Sequence, residues 1–88
     1  MKDDERLLEI LRKVQEDIAC AKTMKTERMR RKYMNFALFG TSQALKEFPD
    51  SALAQQARAK YIKIFRAWYL HKEKEPPVWP EDMNVIDW

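Results

Sequence analysis

The sequence predicts an all-α fold: a three-helix bundle, or a helical hairpin plus a helix, with an extended C-terminal strap. Three observations carry that expectation. The 88 residues hold a single Gly, and three of the four prolines, Pro76, Pro77 and Pro80, crowd into the end of the chain. Residues 1–75 therefore lack the turn residues that sheets need. Apolar residues recur at helical spacing in the first and third quarters of the chain. After Glu75 the composition changes abruptly. The expected organisation is a helical domain over 1–75 and a Pro- and Trp-containing acidic strap over 76–88. A chain of this length makes one domain with a thin core.

The first helix is expected over about residues 4–21. Leu7, Leu11, Val14, Ile18 and Ala21 are spaced four, three, four and three, which puts them on one helical face. Ile10 widens the stripe, while Arg12, Lys13, Gln15, Glu16 and Asp17 lie away from it. Asp3 and Asp4 suit a first turn, where carboxylates meet the positive end of the helix dipole. Continued onward, the stripe runs into Lys25, Arg28 and Lys32. The helix either breaks near "KTMKT", with Thr23 or Thr26 as a new N-cap, or continues as one long helix into water.

Residues 33–48, "YMNFALFGTSQALKEF", are apolar on nearly every side. Met34, Leu38 and Leu45 point one way, Phe36 and Phe39 another. Such a helix is expected to be buried on several faces, with Phe36 and Phe39 in the core or an interface. Gly40 costs about 1 kcal/mol relative to Ala in a helix interior, so it marks close approach of another helix or a kink. Pro49 disfavours helical geometry at Phe48, so the helix ends near Glu47. Asp50 or Ser51 then caps a third helix over residues 51–73. Its stripe is Leu53, Ala57, Tyr61, Ile64 and Trp68, widened by Phe65 and Tyr69, with Lys60, Lys63 and Arg66 opposite.

Across this junction, "ALKEFPDSALAQQARAKY" (residues 44–61) resembles the boundary between successive tetratricopeptide repeats. There a helix ends in an aromatic–Pro–Asp turn and an Ala-rich helix begins. The resemblance implies a helix–turn–helix corner. It does not extend upstream: Lys25 and Arg28 stand where the small residue and the aromatic of a repeat's first helix belong.

The segment "PPVWPEDMNVIDW" cannot begin as a helix and reads as an extended strap. Val78, Trp79, Ile86 and Trp88 are anchors of the type that dominate interfaces, and they are the candidate partner-binding residues. The strap docks on the chain's own bundle, on a second copy or on a partner protein.

Charge is distributed unevenly. The net charge is +3, yet the ends are acidic and the middle is basic. Lys22, Lys25, Arg28, Arg30, Arg31 and Lys32 form the candidate phosphate-binding segment. They could follow a nucleic-acid backbone, or they are a solvated helix face. Catalytic equipment is scarce. With one His (His71) and one Cys (Cys20), a conventional zinc site within one chain is excluded. A single Gly is too few for a phosphate loop or a dinucleotide fingerprint. No catalytic, cofactor-binding or metal-binding residue is expected. The acidic start is wrong for a secretory signal, no apolar run is long enough to span a bilayer, and the lone Cys favours a reducing compartment. The expectation is a small non-catalytic cytoplasmic protein that binds another protein or itself, with nucleic-acid binding through residues 22–32 as the alternative.

Overall fold

The structure, a computed structural model, describes residues 2–70 and 79–86, with side chains from Glu5 onward. It contains three helices in chain order: α1 (Lys2–Thr23), α2 (Glu27–Glu47) and α3 (Ala52–Leu70). No strand occurs among the described residues. The helical content and the three-element order match the expectation.

The break between α1 and α2 falls at Met24–Thr26. Thr26 adopts extended backbone angles, and its side-chain oxygen accepts a hydrogen bond from the Met29 amide. One orphan donor of the new helix is satisfied that way. Arg30 supports the corner from below. It is 6% exposed, and its Nη1 donates to the Met24 carbonyl at 3.1 Å. Of the basic seam that follows Ala21, Arg28 and Lys32 therefore belong to a second helix and Lys25 to the break before it.

α1 and α2 form an antiparallel hairpin, with Arg6 beside Glu47 at its open end. From α1 come Leu7, Ile10, Leu11, Val14, Ile18 and Ala21, all buried. From α2 come Arg30, Met34, Ala37, Thr41 and Ala44, again spaced four, three, four and three. The α2 stripe is mostly small, and so the two backbones approach closely. A Cβ built at Gly40 would overlap Val14 Cγ2, which identifies Gly40 as a close-approach glycine. This packing removes one of the two places expected for Phe36 and Phe39, the chain's own core. Because the close face of α2 is its small-residue stripe, the two rings sit on the flank, 43% and 67% exposed.

The α2–α3 corner follows the capping logic of its sequence. The Phe48 amide donates back to the Ala44 carbonyl, closing α2. Ser51 is the N-cap of α3, its Oγ accepting from the Ala54 amide at 3.2 Å. α3 buries Ala54, Ala57, Tyr61, Ile64 and Trp68. Two polar side chains fasten it to α2. Arg58 Nη1 donates to Thr41 Oγ1 and to Ser42 Oγ, both at 3.0 Å. Deeper in, the Tyr61 hydroxyl donates to the Met34 carbonyl.

α1 meets α3 only marginally. Residues 79–86, which have no helix or strand of their own, close that side. Trp79 stacks on Trp68 of α3, with ring centroids 6.3 Å apart. Met83, Val85 and Ile86 are buried with the helical core residues. The Gln15 side chain of α1 grips the segment from both sides. Its Nε2 donates to the Met83 carbonyl at 3.1 Å, and its Oε1 accepts from the Val85 amide at 2.8 Å. Full burial of Val85 and Ile86 is worth roughly 1.5–3 kcal/mol each as an upper bound, a large share of a small domain's stability.

Two outcomes test this packing. Gly40→Ala gains about 1 kcal/mol of helix propensity. The new methyl must displace a buried valine held to one rotamer by its helix, and overpacking of this kind costs about 1–3 kcal/mol. The urea midpoint is expected to fall; a rise would show that α1 and α2 separate at little cost. The second outcome concerns Tyr61. Burial raises its phenol from 10.0 to about 12, partly opposed by the positive charge of Arg58. The folded state thus holds the proton more tightly than the unfolded chain. That contribution is intact below pH 10 and is lost as the pH rises through about 12. Stability should sag over this range by on the order of 2–3 kcal/mol, and Tyr61→Phe should remove the sag. Parallel pH profiles for the two proteins would contradict it.

Candidate interaction surface

The face of the hairpin away from α3 carries an open groove of about 520 Å³ between α1 and α2. Helical spacing places its lining. On α1, Arg6, Glu9, Lys13 and Asp17 recur three or four residues apart along the rim, with Ile10 and Val14 beneath them. On α2, the opposite wall is Tyr33, Phe36 and Phe39, followed by Gly40 and Gln43. Tyr33 and Phe36 meet edge to face, centroids 5.8 Å apart. The Lys32 ammonium lies 5.9 Å from the Phe36 centroid, a cation–π distance. The floor is shallow because Gly40 lets the two backbones come together there.

One wall is therefore aromatic and the other carries alternating charge. Phe39 is the notable member. It is two-thirds exposed, the most exposed aromatic ring among the described residues. Asp17, at one end of the charged wall, has its carboxyl pushed upward, chiefly by burial; Lys13 opposes the shift and Glu16 adds to it.

The sequence-derived candidates are distributed differently. Ile86 is 3% exposed and lies in the chain's own core. Trp79 is half-buried against Trp68. Of the three docking sites open to the strap, the described part occupies its own bundle. Val78 and Trp88 lie outside the described residues, as does His71. The acidic Glu81 and Asp82 stay at the surface, and the grip on the strap is the neutral amide of Gln15. A charge argument does not predict that.

The basic segment is also divided. Lys22, Lys25, Arg28, Arg31 and Lys32 are exposed. Arg31 pairs with Glu27 at 3.3 Å, one turn earlier on α2. Arg30 departs from the phosphate-binding expectation: its guanidinium is committed to the Met24 carbonyl inside the α1–α2 corner. Arg28, Met29, Arg31, Lys32 and Asn35 surround a shallow depression at the start of α2.

Among the described residues no cluster of His, Cys, Asp and Glu is placed to hold a metal ion, and Cys20 is a half-buried free thiol. No helix among them is long and apolar enough to cross a membrane. No family model, curated protein sequence or solved structure matches this chain. The functional reading therefore rests on the surface itself.

The residues missed at the level of sequence are Gln15 and the charged wall of α1. A polar residue off the apolar stripe reads as solvated face. The signal for the groove was present in α2: Ala37, Thr41 and Ala44 mark the buried side, and Phe36 and Phe39 fall off that stripe.

Proposed function

We propose that this chain is a small non-catalytic helical binding protein, an adaptor, inhibitor or subunit of a complex, that recognises another protein through the α1–α2 groove. The observation that carries the reading is Phe39, 67% exposed beside the partly exposed Phe36 over a preformed groove. Aromatic side chains flanked by polar rims are characteristic anchors of protein interfaces. The described part of the strap does not supply that surface, since Met83, Val85 and Ile86 are used within the chain. The lone thiol of Cys20 suits the reducing conditions of the cytoplasm.

Nucleic-acid binding is the second reading. It rests on the exposed bases at the start of α2, where Arg28, Arg31 and Lys32 rim the depression with Asn35. Such a surface gathers phosphate contacts and predicts strong salt dependence.

Replacing Phe39 by a photoreactive phenylalanine analogue tests the first reading in native cells. Protein adducts that form at position 39 and survive nuclease are expected. Absence of any protein adduct would contradict the reading. Duplex binding at low salt that disappears when Arg28, Arg31 and Lys32 are changed to Gln would decide for the second.

A further inference from the structure

We infer that the occupant of the groove is a second copy of this chain, docked across a two-fold axis with the two α1 helices antiparallel. The inference rests on the groove being a protein-binding surface, and it names the partner.

The charged wall of α1 carries the argument. Read from the N-terminus, Arg6, Glu9, Lys13 and Asp17 run positive, negative, positive, negative. Read backwards, the order is inverted in sign. A two-fold axis between Glu9 and Lys13 sets Arg6 of each copy against Asp17 of the other, and Glu9 against Lys13. Every contact then joins opposite charges. Parallel alignment in register sets like against like. Parallel alignment shifted by one position also matches charges, but it leaves the end charges unmatched and builds an open chain of copies, while a two-fold contact closes on itself. The wall as a whole is neutral in a chain of net charge +3. A strongly acidic partner gains nothing from such a wall, and a wall of the same pattern gains at every position. Charge patterns of this kind fix orientation and register more than they add affinity.

The aromatic wall falls where such a dimer needs its apolar contact. Arg6 lies beside Glu47, and Gly40 beside Val14. The midpoint of the charged wall is therefore level with Gln43. Phe39 is four residues from Gln43 on the same helix, about one turn from the axis. Two copies of Phe39 flank the axis, each facing the groove of the other molecule. An isologous interface with a central aromatic pair inside a charged rim has the usual layout of core and rim.

Sedimentation equilibrium of the full chain tests the pairing. The unaltered protein is expected to dimerise at micromolar concentration. Arg6→Asp alone and Asp17→Arg alone each turn two symmetry-related attractions into repulsions, so each should weaken the dimer by about tenfold or more. The double variant carrying both changes should recover it, and so should an equimolar mixture of the two single variants. Phe39→Asp should weaken the dimer by roughly thirtyfold or more. Circular dichroism melting confirms that each variant folds, and the recovery by the double variant separates lost pairing from lost structure. A folded monomer at every concentration would overturn the inference, as would a dimer indifferent to Phe39 and to both charge reversals. A monomer that still crosslinks from position 39 to a different protein overturns the second copy and leaves the groove as a protein-binding surface. A monomer with no protein adduct at position 39 removes both.

Discussion

One side chain, Gln15, connects the parts of this fold that the helices leave apart. α1 packs on α2, and α2 packs on α3, while α1 and α3 meet only marginally. Helices arranged in that order leave an apolar face open between the first and the third. Residues 79–86 fill it, and their backbone has no helix or sheet ladder of its own to satisfy its amides and carbonyls. A buried backbone group without a partner costs about as much as a lost hydrogen bond. The amide of Gln15 answers one donor and one acceptor together, at Val85 and Met83. Burial of Val85 and Ile86 is favoured by that pairing, because two of the polar backbone groups that accompany them are satisfied.

The small-residue stripe of α2 has consequences on both sides of the molecule. Ala37, Gly40, Thr41 and Ala44 bring α1 close and leave no room for large rings between the helices. The rings of Phe36 and Phe39 are displaced to the flank, where they form one wall of the groove. A thin core and an exposed aromatic surface thus share one cause. Thr41 joins the stripe to α3 as well, since its hydroxyl receives Arg58 and donates to the Leu38 carbonyl.

Much of the architecture was legible in the sequence because it rests on local chemistry. The heptad-like stripe of α1, Pro49 after Phe48, and the cap residues at the two corners are short-range signals; α1 and α2 begin and end, and α3 begins, close to where they place it, while the expected end of α3 at residue 73 lies outside the described residues. The corner suggested by the resemblance of residues 44–61 to a repeat boundary is present. Long-range placement was harder. In α2 both apolar faces satisfy helical periodicity, and periodicity cannot say which one meets α1; the volume of Ala37, Gly40 and Thr41 decides it. Arg30 reads as one of six bases, but its position below the α1–α2 corner makes it a carbonyl partner. The role of Gln15 depends on contacts almost seventy residues away along the chain, beyond any local pattern.

The central claim is that the strap is an integral wall of the domain, held by Gln15. Native-state hydrogen exchange at the Val85 amide tests it most directly, because that proton is the one the Gln15 carbonyl oxygen accepts. Exchange reports the free energy of the opening that exposes an amide. The account predicts that Val85 exchanges with protection close to that of the core amides of α1. Exchange of Val85 at the rate of an unstructured peptide, with the α1 amides still protected, would contradict it.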